Sequence, residues 1–171
     1  MALSVEGMKN YIYPPLKDLH DASQASKVFC EKICEYINKN AVITYAWSGT
    51  NGSSVDPITS FTTSSSGTGF VKLSNISSAG AGVDYWCTQM SIVIKTKMYL
   101  NQPNGWILSP LLFNQAGQLI IKMSGETNFN SASTNFCERF LQSFKSTFVN
   151  PIPVAGTHSS YVGSATMISI S

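Results

Sequence analysis

Apolar positions recur at helical spacing in several stretches of this chain and alternate or cluster in the stretches between. Val28, Phe29, Ile33, Tyr36 and Ile37 return every three or four residues, predicting a helix from a cap at Asp21 or Ser23 to Asn38-Lys39-Asn40. Phe136, Phe140, Phe144 and Phe148 recur at intervals of four. They predict a second helix, capped by Ser131 or Ser133 and closed by Asn150-Pro151. Over residues 83–100 two periods compete: Val83, Trp86, Cys87, Met90, Ile94 and Met98 fit a helix, while Met90, Ile92, Ile94 and Met98 alternate as a strand does. That stretch is long for a strand, so a helix is expected. Val5, Met8, Tyr11 and Ile12 form an amphipathic start that Pro14-Pro15 interrupts, predicting a bent helical arm over residues 1–16.

Strand signals fill the intervals. Residues 41–47 are β-branched and aromatic and leave directly from the first long helix; Phe70-Val71-Lys72-Leu73 is a second short run. Residues 106–113 and 118–123 flank Asn114-Gln115-Ala116-Gly117 as the arms of a hairpin, with Pro110 placing the first arm at an edge. Met167-Ile168-Ser169-Ile170 is expected to close the chain as a strand. Residues 48–57, 64–69 and 77–82 are rich in Gly, Ser and Thr and predict surface loops; Gln102-Pro103-Asn104-Gly105 predicts a turn. The sum is one compact α+β domain spanning residues 1–171.

The chain also repeats itself. Phe29-Cys30-Glu31-Lys32 and Phe136-Cys137-Glu138-Arg139 each open an apolar helix; Ile33 then aligns with Phe140, Cys34 with Leu141 and Ile37 with Phe144. Each helix is followed by a proline step, Asp56-Pro57-Ile58 or Asn150-Pro151-Ile152, and a terminal apolar group. One reading is two pseudo-repeated helix-plus-strand units, residues 21–74 and 131–171, packed with a central helix and a β-hairpin. The other is that amphipathic helices and proline-glycine turns resemble one another everywhere.

Composition changes this picture in one respect. Charged residues make up 12% of the 171, about half the usual share, and net charge is +2. Polarity therefore comes from uncharged groups, which suits a surface covered by neighbours and points to a homo-oligomer. Scattered lysines and arginines give no footprint for nucleic acid, and no run of about 18 apolar residues predicts a membrane span. Met1 to Glu6 lacks the basic start and apolar run of a secretory signal, so reduced thiols are expected at Cys30, Cys34, Cys87 and Cys137.

Candidate chemistry is sparse. Cys30 and Cys34 lie one helical turn apart, as two metal ligands do, but two histidines and no Cys-x-x-Cys spacing favour core cysteines; no metal or cofactor is expected. A Cys-His hydrolase needs one of the thiols beside His20 or His158, and His158 reads as an exposed residue of a Gly/Ser loop. No catalytic residue is assigned. Gly67-Thr68-Gly69 and Gly80-Ala81-Gly82 lack the lysine of a phosphate loop. Trp47, Tyr85, Trp86 and Trp106 form a sugar platform if exposed and core if not.

The helical N-terminal segment, the helix over residues 28–38 running straight into Ala41-Val42-Ile43-Thr44, and the Gly/Ser/Thr-rich loops and end over residues 154–168 resemble small accessory structural proteins of tailed bacteriophages. These are the proteins that build neck, tail or baseplate. The resemblance implies a non-enzymatic subunit of a symmetric assembly, made in the host cytoplasm and carried in the virion beside other virion structural proteins. The arm over residues 1–16 and the loop over residues 47–61 are the expected contact regions, with Tyr11, Tyr13, Trp47, Phe61 and Trp106 as interface candidates. A carbohydrate- or receptor-binding module is the first alternative, and a small Cys-His hydrolase the second.

Overall fold

The computed structural model describes residues 2–49, 52–58, 61–63, 79–100, 106–108, 118–123, 125–147, 152–158 and 161–171. Four helices occur among them: α1 (Val5–Ile12), α2 (Ala22–Asn40), α3 (Ala79–Lys97) and α4 (Phe129–Ser146). A 3-10 turn, Pro14–Leu16, follows α1, where the paired prolines cannot donate the amides that would continue it.

Each cap is a short polar side chain accepting from the first turn. Ser4 caps α1 by accepting from the Gly7 N–H, Asp21 caps α2 by accepting from Gln24, and Asn128 caps α4 by accepting from Ser131. The α4 cap corrects the expectation of Ser131 or Ser133. Ser133 instead lies buried on the inner face of the helix.

Burial follows the helical period. Met8 and Ile12 of α1, Cys30, Ile33, Cys34 and Ile37 of α2, Trp86, Cys87 and Met90 of α3, and Cys137, Phe140, Leu141 and Phe144 of α4 all lie inside. Rings tie three of the helices together. Phe29 meets Trp86 at 5.8 Å and Phe136 at 5.2 Å between centroids, Trp86 meets Phe140 at 6.1 Å, and Phe140 stacks on Phe144 at 5.9 Å.

An extended segment, residues 118–123, completes this core. Leu119 and Ile121 point inward and are each 1% exposed, while Ile120 points out. Its backbone amides bond to helix side chains: Leu119 N–H donates to Ser91 Oγ at 2.8 Å and Ile120 N–H to Ser143 Oγ at 2.7 Å. The segment is thus held from α3 and from α4.

Among the described residues seven strands are traced by backbone pairing. β1 (Ile43–Gly49), β2 (Gly52–Ile58), β5 (Trp106–Leu108), β6 (Ile152–His158) and β7 (Tyr161–Ile170) run antiparallel in the order β2-β1-β7-β6-β5. β3 (Phe61–Thr63) and β4 (Met98–Leu100) form a separate pair. Pro57 falls on β2, at an edge where a missing amide is tolerated. Val42 and Ser171 exchange two backbone hydrogen bonds, 2.8 and 2.9 Å, which dock the last residue beside the start of β1.

The expected fold class is corrected. The packed core is helical, not a pair of helix-plus-strand units around a central helix and a β-hairpin: among the described residues it is built from four helices and one extended segment. Among the described residues the two arms of the expected hairpin do not pair with each other: β5 pairs with β6, while residues 118–123 satisfy their alternation against helices. The stripes of α2 and α4 share one core, and β1, which follows α2, lies beside β7, which follows α4. Three loops are corrected as well: residues 52–58 pair with β1, His158 stands in β6 opposite Tyr161 and Trp106, and the stretch expected as a loop over 77–82 is helical from Ala79, where α3 begins, while Met98–Leu100 leave that helix to pair with β3. The expected strand at 70–73, the turns at 102–105 and 114–117, Pro110 and Phe148 lie outside the described residues.

Candidate functional site

The alternation that buries Leu119 and Ile121 turns Gln118, Ile120 and Lys122 outward, where they form one wall of a groove. The other wall is a face of α4. Arg139, Gln142, Ser143 and Ser146 follow one another at helical spacing of three, four and seven. The groove encloses about 330 Å³. Its walls run antiparallel: the Arg139 guanidinium donates to the Lys122 carbonyl, and four residues further along α4 Ser143 holds the Ile120 amide. The two cationic residues therefore stand toward one end. Gln118 and Ser146 occupy the other, with Ile120 between at 67% exposure.

The groove offers donors, acceptors and one apolar contact. Its lining carries Lys122 and Arg139 as charged groups and no carboxylate, imidazole or thiol, so its chemistry is that of binding. Among the described residues neither cation has an ion-pair partner; the pairs are Lys27 with Glu31 and Lys32 with Glu35.

The cysteines lie elsewhere. Cys30, Cys34, Cys87 and Cys137 are thiols inside the core, each no more than 2% exposed. Burial pushes the Cys137 thiol up to about 12, and the Cys87 thiol is raised by the same cause. A nucleophilic cysteine needs the opposite shift. His20 is exposed at the surface. Among the described residues no three His, Cys, Asp or Glu side chains gather as a metal site, and no helix is long and apolar enough to cross a membrane.

The interface candidates fall into two groups. Tyr11 is half-buried in a polar cluster: its hydroxyl donates to Glu35 at 2.9 Å, accepts from Lys39 at 2.7 Å, and Lys39 also lies over its ring at 4.9 Å. The Lys32 ammonium, 2.7 Å from the same carboxylate, holds Glu35 below the usual glutamate range, with the Tyr11 hydroxyl helping and burial opposing. Tyr13 packs between Phe29 at 6.0 Å and Phe129 at 5.3 Å, and burial raises its phenol. Phe129 is the ring left outside, 68% exposed. Trp47, Phe61 and Trp106 are placed by backbone register alone, opposite Ala165, Leu100 and His158; their side chains lie outside the description. Neither Tyr11 nor Tyr13 lines the groove.

The groove residues were not singled out in the sequence. The available signal was Ser91 and Ser143 beside the apolar positions Met90 and Phe144, since a serine on an inner face needs a hydrogen-bond partner. No family model, curated protein or solved structure matches the chain.

Proposed function

We propose that this protein is a non-enzymatic structural subunit of a symmetric bacteriophage neck, tail or baseplate assembly, working through contacts with copies of itself and with other virion structural proteins. The observation that carries this reading is the presentation of large apolar side chains outside a well-packed core. Ile120 is held out by an amide clamped to Ser143, and Phe129 stands edge-on to half-buried Tyr13. Exposed apolar anchors on ordered backbone, set among uncharged polar groups, are what protein interfaces are made from. The low charge of the chain supports the same reading, because little like-charge repulsion opposes close association. The buried thiols serve packing.

The test is co-sedimentation. Particles purified from cells that make the protein, probed with an antibody to this chain, are expected to carry it in fixed stoichiometry through a density gradient. Recovery of the chain only at the top of the gradient contradicts the proposal.

A further inference from the structure

We infer that the groove between residues 118–122 and α4 docks an extended acidic segment of a partner protein, one that places a carboxylate at Lys122 and Arg139 and an apolar side chain two residues away on Ile120. The inference rests on the assembly reading and names the partner chemistry of one surface.

Dimensions come first. Gln118, Ile120 and Lys122 span four strand steps, about 13 Å, and Arg139 to Ser146 spans seven helical steps, about 10 Å. A groove of that length takes three or four residues of extended chain. Lys122 and Ile120 are two positions apart on one face, about 7 Å, which is also the spacing of same-side residues in an extended ligand. An acidic residue and an apolar residue separated by one position therefore reach both.

Charge and hydrogen bonding select the ligand. Two cations stand toward one end of the groove without a carboxylate partner among the described residues, so an arriving carboxylate meets positive potential and displaces no existing ion pair. The Arg139 guanidinium is oriented beforehand by the Lys122 carbonyl, which lowers the ordering cost of using its remaining donors. Gln142 brings donors and an acceptor, the set that a peptide backbone in extended form requires, and Gln118, whose Nε2 also donates to Thr88 Oγ1 at 3.1 Å, keeps its carbonyl oxygen and one N–H. Ile120 supplies apolar area that a free small anion leaves uncovered.

The experiment uses the full chain and a fluorescent pentapeptide, Ser-Asp-Thr-Leu-Ser, blocked at both ends. A second peptide carries Lys in place of Asp, and inorganic phosphate and acetate serve as competitors. The acidic peptide is expected to bind at least about tenfold more tightly than the basic one. Lys122→Glu and Ile120→Ser, both at exposed positions, are expected to weaken it about tenfold with melting temperature unchanged. Equal binding of the two peptides, no binding of either, or full retention of affinity in Lys122→Glu overturns the inference. Acetate or phosphate binding as tightly as the peptide overturns it in favour of a small-anion site. Native mass of the same samples reads self-association separately, so loss of the groove is distinguishable from loss of the assembly reading.

Discussion

Gly7 shows how a single position decides a helix start. A Cβ there would sit 2.7 Å from Ser4 Oγ and 2.9 Å from Tyr36 Oη. Neither atom is free to move: Ser4 Oγ caps α1, and the Tyr36 hydroxyl accepts from Ser4 N–H at 2.9 Å while donating to Ser4 C=O at 3.0 Å. Alanine gains up to about 1 kcal/mol of helix propensity but forces this cluster apart. Gly7→Ala should therefore destabilise the protein by about 1–2 kcal/mol net in urea unfolding, and by less in a Tyr36→Phe background. Glu35 sets a pH dependence. Its carboxyl is held low mainly by Lys32, so its stabilising contribution is present above the usual glutamate pKa and is lost as pH falls through the lowered folded value. The group is 44% exposed, so that contribution is screened to less than about 1 kcal/mol. Unfolding curves of wild type and Glu35→Gln should differ at neutral pH and converge on acidification; a constant difference down to acid pH would remove the ion pair from the account. The cap at Asp21 was readable from the chain because it precedes the stripe directly. The role of Gly7 was not, since it depends on a tyrosine 29 positions away.

At the scale of elements, the helices were legible and the partner of the extended segment was not. The stripes of α2 and α4 announce their buried faces, and α3 proved to be the helix its length suggested. Residues 118–123 alternate as a strand does, which predicted a hairpin; alternation records which side is buried but not what lies against it. Here helix serines stand where a neighbouring strand would. Removing one tests that arrangement. Ser143→Ala leaves the Ile120 amide without its acceptor and should cost about 1–3 kcal/mol. Hydrogen exchange should show lost protection at Ile120, with Met8, Ile33 and Phe144 still slow. Uniform loss across the core would mean that the segment is no separable clamp.

For the whole molecule, the pattern of the chain gives the buried faces of the helices but not the architecture built from them. Phe29 and Phe136, which open the two Phe-Cys-Glu runs, meet in one aromatic cluster 5.2 Å apart, so the repeat marks two helices that share a core. The interface candidates are large aromatic rings, whereas the groove depends on Gln118, Ile120, Lys122, Arg139 and Gln142, ordinary residues that become a site only when residues 118–122 lie along α4. The functional account rests on surfaces fitted for neighbours. Native mass spectrometry of the purified full chain tests it most directly: a closed oligomer of fixed subunit number, persisting on dilution to micromolar concentration, is the predicted result, and a monomer that gains no mass at any attainable concentration, with or without particle proteins from its source, would contradict it.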